Sequence, residues 1–266
     1  MQLERKPMTS TASGRLWGAR PRDWADIQEG MVSPVYRAVF DRVGVANGTR
    51  YLDVGCGAGM AAQLAAARGA RVAGLDAAEP LLVIARERVP DGDFREGDIE
   101  ILPFPDRSFD LVTGFNSFQY AGNPVVALSE AGRVVAADGT VVVVIWGSPE
   151  GMEAVAMIGA LGSLLPPPPP GTPGPFALSE EVALRQFAVD AGLRPLAVFD
   201  VDCPFVYPDE TTAVRGFAST GVAARAMELT SEQTVQKAFA DAVAAFRQPD
   251  GSYRIGASFR CLLARP

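Results

Sequence analysis

The stretch Tyr51-Leu52-Asp53-Val54-Gly55-Cys56-Gly57-Ala58-Gly59 decides the fold. A short apolar strand, Arg50–Val54, runs into a turn carrying Gly55, Gly57 and Gly59, and an alanine-rich helix begins at once at Met60. Glycine is needed where the backbone takes a positive φ or where a ligand lies directly against the main chain. The helix start then offers free N–H groups to a negative group. Strand, glycine turn and helix in immediate succession read as the opening unit of a nucleotide-type α/β sheet.

Working outward, strands and helices alternate from Thr49 to Trp146. The pattern predicts a helix over Met60–Arg68 stopped by Gly69, a strand over Arg71–Leu75 ending at Asp76, and a helix over Pro80–Val89. Strands follow at Asp93–Glu96, Phe109–Gly114 and Thr140–Trp146, with a helix over Val125–Val135. Strands apolar on both faces and separated by helices predict a parallel sheet covered on both sides. Beyond Gly147 the pattern loosens. Met152–Leu165 reads as an apolar helix, and the proline–glycine stretch through Pro175 as either a spacer loop or a lid hinge. Ser179–Ala191 reads as a helix, Leu196–Val201 as a strand, and Thr230 with Gln233 as a capping box. Val235, Phe239, Val243 and Phe246 then share a helical face, and Ser252–Leu263 reads as a final strand.

The glycine spacing bears on the ligand. Dinucleotide folds use G-x-G-x-x-G, but here Met60 holds the last position and the third glycine comes one residue early. With Asp53 just ahead, the turn suits S-adenosylmethionine (SAM) better than NAD, the helix start facing its methionine carboxylate. Asp76, at the end of the second strand, suits a carboxylate accepting both ribose hydroxyls. Asp98 would accept from the adenine amine while Ile99 packs on the ring face. The bland alternatives are a helix cap for Asp76 and a turn residue for Asp98.

Composition closes off several classes. The chain has 266 residues, a net charge of −7 and no histidine. Without histidine there is no Ser–His–Asp triad and no common metal ligand. The acidic balance disfavours nucleic acid, and the densest basic stretch, Arg15 to Arg22, holds only three arginines. Cys56, Cys203 and Cys261 form no C-x-x-C pair, so neither zinc nor a disulfide framework is suggested. The polar Met1–Gly14 segment lacks an apolar leader, and no apolar run reaches the ~20 residues of a membrane span. The expectation is a cytoplasmic protein acting on a small molecule.

Asp53–Gly59, Gly74-Leu75-Asp76, Gly97-Asp98 and the run Leu102–Val112 together resemble the class I SAM-dependent methyltransferases, most closely the ubiquinone/menaquinone C-methyltransferase branch. The resemblance covers about Arg50 to Trp146. It implies a Rossmann-like doubly wound, seven-stranded α/β sheet, mostly parallel with the last strand antiparallel, and with a lid. One structural domain would comprise an N-terminal helical cover (1–48), a SAM-binding core (49–147), a lid and substrate region (148–230) and a C-terminal helix and strand (231–266). The implied donor site holds Asp53, Gly55, Cys56, Gly57, Gly59, Asp76, Ala77, Asp98, Ile99, Phe115 and Asn116. Trp24, with Trp17, is a candidate cover or else a core anchor. Asn116-Ser117-Phe118-Gln119 keeps the asparagine but not the prolines or terminal aromatic of the base-methylating box, which argues against methylation of a nucleobase. Tyr120, Asp209 and Glu210 are conceivable bases, and no catalytic residue is assigned. Two other classes stay open: a SAM-binding protein that performs other pocket chemistry or sensing, and an NAD-dependent oxidoreductase.

Overall fold

Side chains alternate across a strand, so a strand apolar at every position must be covered on both faces. Val141 to Val144 are all at most 1% exposed. Val142 and Val144 join Tyr51 and Phe40 in one core, while Val141 and Val143 join Leu52 and Val54 in the other. The sheet therefore sits in the middle of the molecule. The computed structural model describes residues 9–167 and 174–266. Residues 168–173, most of the stretch read as a spacer or hinge, and residues 1–8 of the segment read as leaderless lie outside the described residues.

Helices α1 (Thr9–Trp17), α2 (Pro21–Asp23) and α3 (Ser33–Val43) precede the sheet, with a π turn at Trp24–Gln28 and a 3-10 turn at Glu29–Val32. The alternating core is β1 (Arg50–Val54), α4 (Met60–Ala66), β2 (Arg71–Asp76), α5 (Glu79–Arg88), β3 (Asp93–Glu96), β4 (Phe109–Phe115), α6 (Pro124–Val134) and β5 (Val135–Trp146). There follow α7 (Val155–Gly162), α8 (Glu181–Asp190), β6 (Arg194–Asp202), β7 (Phe205–Tyr207), α9 (Glu210–Ala218), α10 (Gly221–Leu229), α11 (Glu232–Val243), β8 (Tyr253–Ile255) and β9 (Ser258–Arg265).

The seven-stranded sheet has the order β3-β2-β1-β4-β5-β9-β6, and β9 runs antiparallel to both its neighbours. Winding reverses between β1 and β4, so their carboxyl ends open a crevice, the place where ligands of such sheets bind. Helices α3, α4 and α5 back one face; α6 and α8 back the other.

Beyond β5 the structure departs from several expectations. The apolar helix is only Val155–Gly162, within the predicted Met152–Leu165. The stretch 207–226, for which the pattern predicts no element, contains α9 and most of α10. Asp209 starts the first by accepting from Thr212 N at 2.7 Å, and Thr220 starts the second by accepting from Ala223 N at 3.3 Å. The cap of α11 is Ser231, which accepts from Thr234 N at 3.1 Å; Thr230 instead donates back to Ala226 O at 2.7 Å, ending α10. The final predicted strand is broken. Gly256 and Ala257 give their backbone to Glu153, Ala154 and Cys203, so β8 pairs with β7 in a small second sheet and only β9 joins the large one. Helix α11 packs on α9 and α7, with Phe239 stacked on Phe217 at 5.7 Å. Among the described residues no helix is long and apolar enough to cross a membrane, and no cluster of His, Cys, Asp or Glu is arranged to hold a metal ion.

Candidate functional site

Strand β1 delivers the glycine turn to the crevice. Gly55 (φ 76°) and Gly57 (φ 53°) occupy left-handed backbone that side chains disfavour. A Cβ on Gly55 would lie 2.5 Å from the Cβ of Ser117 in the loop after β4. Ser117 itself donates to Val54 O at 2.6 Å, drawing the tips of β1 and β4 together. On the other side, Asp76 at the tip of β2 accepts from Gly57 N at 2.8 Å and from Ala78 N at 2.9 Å. Burial pushes the Asp76 carboxyl above the usual carboxylate range, and those N–H donors pull it back. Each bond takes one lone pair, so further acceptor capacity remains on Asp76.

Asp98 follows β3, at the edge of the same row of strand ends. It accepts from Glu100 N at 2.9 Å, as a turn residue does, and lines a cavity of about 560 Å³ with Ala77, Gly97, Ser10, Thr11 and Gly14. Ile99 packs, half-buried, on the core of that side. Phe115, at the tip of β4, meets Tyr36 edge-on at 4.6 Å. Asn116 adopts φ 55°, donates its N–H to Val144 O at 2.8 Å and accepts from Gln119 through its side chain.

Three of the anticipated site residues turn away from the crevice. Asp53 is 2% exposed and lies beneath the turn, where Thr113 Oγ1 donates to it at 2.8 Å. Thr113 has one hydroxyl proton, so Tyr51, at 2.7 Å, must donate to Thr113 in turn. The Cys56 thiol is buried, with Sγ only 2.8 Å from where a Cβ on Gly74 would stand, and burial pushes it well above its ordinary value. Gly59 packs on helix α5, since a Cβ there would meet that of Ala85 at 2.8 Å. Only main-chain atoms of Cys56 and Gly59 belong to the turn that faces the crevice.

The segment before the sheet closes over the strand tips. A Cβ on Gly14 would stand 2.0 Å from Ala77 O, so α1 rests directly on the end of β2. Trp17 meets Trp24 edge-on at 5.1 Å and Tyr120 at 5.7 Å. Arg15, Arg20 and Arg22 pair with Glu228, Glu232 and Glu87, which accounts for the basic stretch as ties between elements. Asp209 caps α9, and Glu210 accepts from the Tyr253 hydroxyl at 3.2 Å. Neither reaches the crevice tips through these contacts.

Sequence reasoning missed Glu29 and Arg88. Glu29 is 2% exposed and paired with Arg88, which also donates to Ala58 O at 2.8 Å and Ala25 O at 2.7 Å. One pair thus fastens the cover segment, the glycine turn and α5 to one another. Burial raises the Glu29 carboxyl, against the pull of Arg88. No spacing rule links residues so far apart in the chain; an acid and a cation near apolar turns were the only signals.

Burial also pushes Asp53 up to about 7. Between its unfolded value near 4 and that level the folded protein holds a proton that the unfolded chain releases, so stability falls as pH rises through this window. The full shift corresponds to at most about 4 kcal/mol. Asp53→Asn keeps the acceptor for Thr113 but cannot ionise. Urea denaturation at pH 5 and pH 8 should therefore show a smaller loss of stability in the variant than in the wild type; equal losses would contradict this reading.

The comparisons with known proteins agree with this geometry. A family model described as a methyltransferase domain matches residues 52–143. The demethylmenaquinone methyltransferase of Renibacterium salmoninarum is 40% identical over 107 residues, 40% of this chain and 45% of that protein. The malonyl-[acyl-carrier protein] O-methyltransferase of Erwinia pyrifoliae is 40% identical over 95 residues, 36% of either chain. The matched span is thus less than half the length of these curated relatives. Among solved structures, the YcgJ protein of Bacillus subtilis shares the fold with TM-score 0.53 and 19% identity, over 87% of this chain and 98% of that one. The [4+2]-cyclase SpnF shares it with TM-score 0.55 and 22% identity, over 87% and 80%. Residues 52–143, which carry the glycine turn, Asp76 and Asp98, are thus similar to a methyltransferase domain.

Proposed function

We propose that this protein transfers a methyl group from SAM to a small, apolar molecule. The reading rests above all on one coincidence: the glycine turn of β1, Asp76 of β2 and Asp98 after β3 stand side by side at adjacent strand ends, next to the point between β1 and β4 where the winding of the sheet reverses. The residues present fit the donor. Gly57 forms a cradle that any side chain would fill, Asp76 retains acceptor capacity for a ribose, and the buried Trp24 Nε1 has no partner among the described residues.

When bound, SAM supplies an electrophilic methyl group on a sulfonium. In this reading Asp76 holds the sugar, Asp98 and Ala77 flank the adenine with Ile99 below, and the backbone of Gly55 and Gly57 lies against the amino-acid end. Phe115 and Asn116 stand beside the methyl group, and Trp17 and Trp24 exclude water above it. Alignment in a dry pocket contributes several kcal/mol to such a displacement without an acid or base. The acceptor is proposed to meet the aromatic group around the tips of β4 and β5, where Trp146 stacks on Phe259 at 4.8 Å and Phe115 meets Tyr36. That lining suits an apolar molecule better than a nucleic acid, as does the net charge of −7.

The fold by itself does not name the reaction, since SpnF carries it as a [4+2]-cyclase. Incubation with SAM and a metabolite extract should yield S-adenosylhomocysteine and a product heavier by one methyl group. Binding of SAM with no extract component methylated would favour other pocket chemistry or sensing. Binding of NAD without SAM would favour an oxidoreductase.

A further inference from the structure

The two groups nearest the position a Cβ on Gly57 would take are of opposite character. A Cβ built on Gly57 would stand 3.2 Å from Trp24 Nε1, a donor, and 3.2 Å from Glu29 Oε1, an acceptor. The Trp24 N–H is buried and has no partner among the described residues. Glu29 commits Oε2 to Arg88, whereas Oε1 accepts a long bond from Met60 N, at 3.4 Å, and the Ala58 N–H is also directed at the carboxylate. That length is outside the usual range for N–H···O, so this oxygen remains available to a closer donor. A buried N–H and a buried carboxylate oxygen around one glycine are the complement of an α-amino acid zwitterion, which presents a carboxylate and an ammonium on one carbon.

We propose that Trp24 and Glu29 form the subsite for the amino-acid end of the donor, Trp24 Nε1 donating to its carboxylate and Glu29 Oε1 accepting from its ammonium. The proposal rests on the reading of the crevice as a SAM site, and it assigns the recognition to side chains of the cover segment rather than to the turn alone. Arg88 positions Glu29 and opposes the effect of burial on its carboxyl. The cover segment then does more than exclude water: it reads whether the ligand carries an amino acid at all. Recognition of this end also separates S-adenosylhomocysteine and SAM from nucleosides that lack it.

Calorimetric titration with S-adenosylhomocysteine and with 5′-methylthioadenosine, which has the same nucleoside but no amino-acid end, tests this directly. Trp24→Phe keeps the ring and removes only the N–H. It should weaken S-adenosylhomocysteine about tenfold or more, as loss of a hydrogen bond to a charged group does, and leave 5′-methylthioadenosine unchanged. Glu29→Gln should show the same selectivity. Because this second change disturbs a buried ion pair, it is read only if its thermal midpoint shows a folded protein. Equal weakening of both ligands, or of neither, in Trp24→Phe would overturn the subsite. If the wild type binds neither ligand, the SAM reading itself fails, a result distinct from loss of the subsite.

Discussion

Asp76→Ala is expected to weaken SAM binding by two orders of magnitude or more. The carboxylate already fixes the turn by accepting from Gly57 N and Ala78 N, and in the proposed complex it also accepts from both ribose hydroxyls. Hydrogen bonds to a charged group contribute about 1.5–3 kcal/mol each, and every 1.4 kcal/mol is about tenfold in affinity. Two such bonds therefore correspond to about a hundredfold, before any loosening of the turn. Asp76→Asn separates the two roles, because an amide oxygen can keep one backbone bond while its nitrogen cannot accept from a hydroxyl. Calorimetry should find both variants weakened, the alanine one more, with thermal midpoints showing a folded protein. Affinity within about threefold of wild type in a folded Asp76→Ala protein would remove the basis of the assignment.

The second large effect concerns stability. Arg88→Ala should destabilise the protein by about 3–5 kcal/mol, the usual consequence of leaving one member of a buried ion pair behind. The side chains of Arg88 and Glu29 are only 16% and 3% exposed, so water cannot replace the lost cation, and the carbonyls of Ala25 and Ala58 lose donors as well. Burial then acts on Glu29 unopposed, and its carboxyl rises further. The folded protein takes up a proton that the unfolded chain does not hold at neutral pH, so the defect should be smaller at pH 5 than at pH 8. Urea denaturation of Arg88→Ala at both values measures this. Arg88→Met combined with Glu29→Gln, which removes both charges, should recover more than half of the loss. A defect below about 1 kcal/mol would show that the cover segment is not held by this pair.

The core of the fold was legible because its signals are local. Strands β1 to β5 and helices α4 to α6 follow from apolar runs broken by glycine and proline, and each was located to within a few residues except the start of β5. The turn and Asp76 were legible for the same reason: a glycine at positive φ and an acid ending a strand are requirements on neighbouring residues. Beyond β5 the signals compete. Ser231 and Thr230 are adjacent hydroxyls equally able to cap, and only the end of α10 assigns Thr230 to Ala226. Ser252–Leu263 is continuous in pattern, yet Gly256 and Ala257 bond to residues far away in the chain.

What the sequence by itself determined is therefore the doubly wound sheet, its glycine turn and the acid beside it. The tertiary structure alone decided which side of the turn each group faces: Asp53 goes beneath it with Thr113, while Glu29 and Trp24 come over it from the cover segment. The physical reason is the range of the interactions. Backbone conformation and strand patterning depend on residues a few positions apart, whereas burying a charge requires a partner that only the folded chain brings near, as Arg88 is brought to Glu29.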